Sequence, residues 1–181
     1  MNLPKKLLRT NFGFTLVELL VVMAILSSLV ALVAGGYRSA QTRGTDAQRK
    51  ADLRELANAL ELFYEDYKQY PPESNENVTA CPWDFTTSTG TECVWGESEM
   101  TDGKTSYFKV LPEDPDSGQN YVYKIVSGSN NQKFQLFARL ENPEDIDCLN
   151  DDCANPGVTI TCGGSSLCNF AVTSSNTDAT E

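Results

Sequence analysis

The stretch from Gly13 to Ala34 constrains this chain more than any other. After the glycine come about 20 residues that are almost all apolar, from Phe14-Thr15-Leu16-Val17 to Val30-Ala31-Leu32-Val33-Ala34. That length spans a bilayer as a helix. One charge, Glu18, interrupts it. A carboxylate inside a membrane helix costs about 2.5–3.5 kcal/mol on insertion scales, so it requires a partner and a purpose. Lys5, Lys6 and Arg9 precede the run. Basic residues ahead of an apolar segment place that end in the cytoplasm, so the rest of the chain faces outward.

These residues carry a resemblance. A short basic leader ends in glycine, phenylalanine follows, and a glutamate sits four residues further on within the apolar run: Gly13-Phe14-Thr15-Leu16-Val17-Glu18-Leu19. This resembles the signal of type IV prepilins and type II secretion pseudopilins. The likeness is closest over residues 1 to about 70 and looser over 107 to 140. It implies cleavage between Gly13 and Phe14 by a prepilin peptidase, N-methylation of Phe14, and retention of the apolar helix. An ordinary signal peptide is instead cut after its apolar region, here near Ala31 to Ala34. An uncleaved anchor is the other alternative. For Glu18 two pairings stand open. It can neutralise the Phe14 ammonium within its own helix. The resemblance implies instead the ammonium of a neighbouring subunit, a pairing that fixes axial register because an unpaired charge there is costly.

No proline occurs between Phe14 and Tyr70, and this segment reads as one long helix. In its second half Leu53, Leu56, Ala57, Leu60, Phe63, Tyr64 and Tyr67 recur at helical spacing on one side. Asp46 and Lys50 are spaced for an exposed ion pair. Gly35-Gly36 and Gly44 lie between the halves, either as a segment able to bend or as plain passage through the interface. Tyr70-Pro71-Pro72 stops the helix. A loop-rich stretch follows to about Ser106, with Trp83 and Trp95 flanking the Cys81–Cys93 region. Both tryptophans read as packed loop anchors, with ligand-binding platforms as the alternative.

Tyr107–Leu111 is a short strand candidate. Tyr121–Val126 and Lys133–Leu140 alternate around a Ser-Gly-Ser-Asn-Asn turn and read as a hairpin. Val158–Cys162 and Leu167–Thr173 read as a weaker second hairpin around Gly163-Gly164. The segment Leu111-Pro112-Glu113-Asp114-Pro115 before Tyr121-Val122-Tyr123 is similar to the stretch that opens the sheet of major pseudopilins, with Asp116-Ser117-Gly118-Gln119-Asn120 in between.

The expected fold is therefore α+β and pilin-like. A long helix, about 14–70, packs its amphipathic second half on a small antiparallel sheet. The expected divisions are a leader (1–13), a transmembrane or filament-core helix (14–36), an amphipathic half (37–70), a disulfide-stapled head (71–173) and a disordered tail (174–181).

The formal net charge is −11, and loss of the three leader cations makes it −14. A protein this acidic repels a phosphate backbone, so no nucleic-acid partner is expected. All six cysteines, Cys81, Cys93, Cys148, Cys153, Cys162 and Cys168, lie beyond the anchor. An even count in an exported domain favours disulfides, and sequential pairing closes three short loops. Zinc is disfavoured by the absence of histidine and of a tight cysteine pair. Asp145, Asp147 and Asp151 lie in an acidic loop whose oxygens suit calcium, and major pseudopilins hold calcium in a comparable loop. The preferred reading is a solvated acidic loop stapled by Cys148 and Cys153, with calcium as the alternative. With no histidine the Ser-His and Cys-His arrangements are unavailable, and no phosphate-cradling glycine loop is present.

The expectation is a non-enzymatic structural subunit of a type IV pilus-like filament. The alternatives are a type II secretion pseudopilin and a tethered binding domain that never polymerises. The resemblance implies related pilin subunits, the peptidase and an assembly machinery as partners. It implies residence in the inner membrane before assembly into a surface or periplasmic filament.

Overall fold

The computed structural model describes residues 13–181, leaving aside the side chains of 32–35. The leader charges Lys5, Lys6 and Arg9 lie outside the described residues. Helix α1 runs Leu16–Tyr67, close to the expected bounds. Two compact units divide the chain, Met1–Ala40 and Gln41–Glu181. Among the described residues no single helix is long and apolar enough to cross a membrane. The segments Leu16–Ala31 and Gly36–Tyr67 pass that test together, by length and composition.

In the second unit the helix buries one face. Leu53, Leu56, Leu60 and Phe63 are fully inaccessible, with Ala57, Tyr64 and Tyr67 packed at the margin. This is the apolar stripe that the spacing predicts. It packs against a sheet of three antiparallel strands in the order β7-β8-β9, where β7 is Val122–Ile125, β8 Phe134–Ala138 and β9 Phe170–Thr173. Register sets Val122 opposite Phe137 and Ile125 opposite Phe134, and Ala138 opposite Phe170.

Tyr123, Phe134, Leu136, Ala138 and Phe170 share the core with the helix. The opposite face is also covered. Val122 and Phe137 pack with Val158, Cys162 and Cys168 in a second cluster. Strand β8 is thus buried on both sides. Its alternation marks only one of its two apolar contacts.

Three small ladders fill the stretch expected to be loop: β1 (Glu73–Ser74) with β2 (Asn77–Val78), β3 (Trp83–Asp84) with β4 (Thr89–Gly90), and β5 (Met100–Thr101) with β6 (Ser106–Phe108). The expected Tyr107 strand is real but shorter, and its partner is β5.

The second hairpin needs correction. Thr161 and Leu167 form an isolated bridge, and the following segment leaves to become β9 on the main sheet. Gly163 sits at φ +119, and a Cβ there would lie 2.3 Å from the Gly118 carbonyl oxygen. Only glycine suits that turn. The tail also departs from the disordered reading. Ser174 is buried, its N–H bonding the Phe134 carbonyl at 3.1 Å, and Gln135 Nε2 donates to the Asp178 carbonyl at 2.6 Å.

Candidate assembly site

The first unit presents its apolar residues outward. Phe14 is 76% and Leu16 80% exposed, and Val17, Leu19, Leu20, Met23, Ile25, Leu26, Leu29 and Val30 are also exposed. Among the described residues nothing covers them, which is the behaviour of a surface meant for lipid or other helices. Gly13 to Thr15 are non-helical and exposed just ahead of α1. Gly13 and Phe14 are thus both accessible and outside the helix.

Glu18 is held by a group that the sequence reading overlooked. Thr15 N and Thr15 Oγ1 both donate to Glu18 Oε2, at 3.2 and 2.9 Å. Glu18 N returns a bond to Thr15 Oγ1 at 3.2 Å. This is a capping box, in which two otherwise unpaired N–H groups of the first helical turn are satisfied reciprocally. Its signal is legible in the letters Thr15-Leu16-Val17-Glu18, a threonine and a glutamate three apart ahead of an apolar run. Both bonds end on one carboxylate oxygen.

Within the second unit, two neighbouring cations on α1 fasten distant loops. Arg49 is fully buried. Its Nε and Nη2 bond Asp114 at 2.9 and 2.8 Å, Nη1 bonds Asp46 at 2.9 Å, and Nη2 also reaches Glu141 at 2.8 Å. Burial opposes the guanidinium charge, and the carboxylates more than offset it, so its pKa rises.

Asp46 is buried as well and accepts the N–H groups of Glu141 and Asn142 at 2.9 and 2.8 Å. The expected exposed Asp46–Lys50 pair is therefore not formed. Lys50 Nζ instead bonds Asp145 Oδ1 at 2.6 Å and Asp147 Oδ2 at 2.7 Å and lies 5.9 Å from the centre of the Phe170 ring.

The acidic loop thus finds a counter-charge within the chain. Two of the three calcium candidates, Asp145 and Asp147, converge on the chain's own ammonium. Asp151 stands exposed in the short 3-10 turn Leu149–Asp151. Among the described residues no group of three or more His, Cys, Asp or Glu side chains is arranged to hold an ion. For Asp145 burial raises the pKa, and the bonds from Lys50 and the Asp147 N–H outweigh it, leaving it below the usual carboxylate value.

The cysteines pair sequentially: Cys81–Cys93, Cys148–Cys153 and Cys162–Cys168. The second bond closes the loop that carries Asp151, just beyond the residues gripped by Lys50. The third clips the turn leading into β9.

The family model of the prokaryotic N-terminal methylation motif matches residues 8–34. The chain is 33% identical to the type IV major pilin protein PilA of Myxococcus xanthus over 66 residues, which is 36% of this chain and 30% of that protein. It is 26% identical to the type II secretion system core protein G of Escherichia coli over 152 residues, covering 81% of this chain and 92% of that one. With the core protein G of Pseudomonas aeruginosa the identity is 32% over 117 residues, 64% of this chain and 74% of the relative. No solved structure matches the chain significantly. The methylation motif at the amino terminus, and an identity that extends across most of a secretion core protein, show that the chain belongs to the type IV pilin and type II secretion pseudopilin family.

Proposed function

We propose that this chain is a structural subunit of a pilus-like filament, cut between Gly13 and Phe14, methylated at Phe14, and assembled through its apolar helix. One observation carries the reading above the rest: an exposed apolar helix with a single carboxylate, Glu18, one turn from an accessible Gly-Phe bond. Before assembly that helix belongs in the inner membrane, with the disulfide-stapled second unit outside the cytoplasm. After assembly it belongs in the filament core, where the small residues Ala24, Ser27, Ser28 and Ala31 allow close approach of neighbouring helices.

Glu18 then has two duties. One oxygen stays with Thr15, and Oε1 is left for the Phe14 ammonium of a neighbouring subunit. Burial of both charges makes the pair costly to leave unmatched, so it sets register. The chain performs no enzymatic step, and the peptidase and assembly machinery are separate proteins.

A second reading has a specific observation in its favour. The match to PilA is confined to 66 residues, whereas the secretion core proteins align over 117 and 152 residues. Likeness in the outer unit therefore leans toward a secretion pseudopilus. Fractionation of cells expressing the wild-type and Glu18→Gln chains tests both. The filament reading expects wild-type chain in sheared or pelleted fibres and its loss from them in the variant. Normal fibres from Glu18→Gln would overturn it. Abundance in surface shear favours the pilus, and failure of protein export on deletion favours the pseudopilus.

A further inference from the structure

The first unit ends in polar residues that filament assembly leaves unused. Tyr37 and Arg38 follow the apolar run on the part of α1 that belongs to that unit. Tyr37 is 66% exposed, and Arg38 is exposed beside it.

Arg38 has no counter-ion of its own. The sequence holds no acidic residue between Glu18 and Asp46. None therefore stands three or four positions from Arg38 on either side, the reach of an ion pair along a helix. Among the described residues its guanidinium makes no ion pair. An exposed cation beside an apolar surface is thus left for a partner from outside the chain.

Its level along the helix narrows the choice. From Ala34 to Arg38 a helix climbs about 6 Å, at 1.5 Å per residue. The headgroup layer outside the hydrocarbon is about 5–7 Å deep on each side of a bilayer. A chain whose apolar run fills the hydrocarbon therefore carries Tyr37 and Arg38 among the headgroups.

The side chains select the headgroup. Tyrosine has an apolar ring and a polar tip, and settles at this level. A guanidinium meets a phosphate through two parallel hydrogen bonds. Every phospholipid offers a phosphate, but phosphatidylcholine brings its own cation, which competes with the arginine. An anionic lipid brings none, and draws basic residues placed close to the surface. Every acidic residue except Glu18 lies from Asp46 onward, so an anionic surface repels the second unit. Arg38, in an acid-free stretch that also holds Arg43, opposes that repulsion. The carboxylates of a second copy are the rival partner. They reach Arg38 only on assembly, whereas headgroups surround it in every chain resident in the bilayer.

We infer that Tyr37 and Arg38 bind the phosphate of an anionic phospholipid on the outer face of the inner membrane and so hold the helix at a fixed depth before assembly. The inference rests on the membrane residence proposed above.

The test places the full chain in nanodiscs made of equal parts phosphatidylcholine and phosphatidylglycerol, and weighs the released protein with its retained lipid by native mass spectrometry. The wild-type chain is expected to retain phosphatidylglycerol in preference to phosphatidylcholine. Arg38→Gln is expected to lower that preference about fivefold, the worth of one arginine at an anionic surface. Arg38→Lys, which keeps the charge, is expected to keep most of it. Arg54→Gln, at an exposed cation of the second unit, is expected to leave it unchanged. Equal retention of the two lipids overturns the inference. So does a preference that Arg38→Gln leaves intact, or one that Arg54→Gln lowers as much. Release of paired chains that Arg38→Gln separates would give Arg38 to a second copy and overturn it too. A chain that stays out of the nanodiscs altogether would overturn the membrane residence itself, and the inference with it.

Discussion

Glu18 and Thr15 separate two effects that a simple deletion would confuse. Glutamine can keep a capping box but carries no charge. In Glu18→Gln the helix should therefore start normally while assembly fails. Thr15→Ala should cost about 1 kcal/mol of local helix stability and leave the carboxylate less well placed. Hydrogen exchange at the first turn reads the former, and fibre yield reads the latter. Equal fibre yield from Glu18→Gln and wild type would reduce Glu18 to a cap.

Arg49 makes a different prediction. Replacing it with methionine leaves Asp46 and Asp114 buried without their counter-ion, a loss of about 3–5 kcal/mol. A denaturant melt checks this, and an unchanged midpoint would contradict the bonding described. Local spacing could not reveal this residue. Its partners Asp114 and Glu141 lie 65 and 92 positions away, so the sequence offered only the nearer Asp46–Lys50 pairing.

Between elements, tyrosine hydroxyls tie the helix to the rest of its unit. Tyr121 donates to Asp52, Tyr107 to Asp66 and Tyr67 to Asp102, while Tyr70 donates back to Glu61. Burial raises all four pKa values, and the accepting carboxylates raise them further, Tyr67 to about 12. A folded-state pKa above the unfolded value gives stability that is complete below the unfolded pKa, about 10 for tyrosine, and lost as pH rises through the folded one. The melting temperature should therefore fall between about pH 10 and about pH 12. The fall should be shallower in Tyr67→Phe, and a flat profile would contradict it.

The acidic loop gives a second contrast. Lys50→Ala should destabilise the unit by about 1.5–3 kcal/mol, the range for hydrogen bonds to charged groups, while chelators should leave the wild-type melting temperature where it is. A drop with EDTA would show that Asp145 and Asp147 serve a metal after all. At this scale the helix bounds, its apolar stripe and strands β7 and β8 were legible, because each rests on local periodicity. The edge β9 was not. It joins β8 across more than thirty residues of chain, and its own letters fit a hairpin with Val158–Cys162 equally well. The tail was misread because polar composition says nothing about Ser174 and Asp178 serving as partners for β8.

For the whole molecule, the division is between an apolar first unit that exposes its side chains and an acidic second unit that buries its own core and closes three disulfides. The amino-terminal motif was fully legible, since a basic leader, a Gly-Phe bond and a lone glutamate are defined by spacing alone. The Arg49 cluster was not, because Asp46, Asp114 and Glu141 meet on one guanidinium only after folding. The account rests on processing at Gly13. The most direct test is intact-mass and amino-terminal mass spectrometry of the protein recovered from cells. The prediction is a chain beginning at methylated Phe14, six hydrogens lighter than its fully reduced form because of the three disulfides. A chain beginning at Met1, or one cut near Ala31 to Ala34, would contradict it.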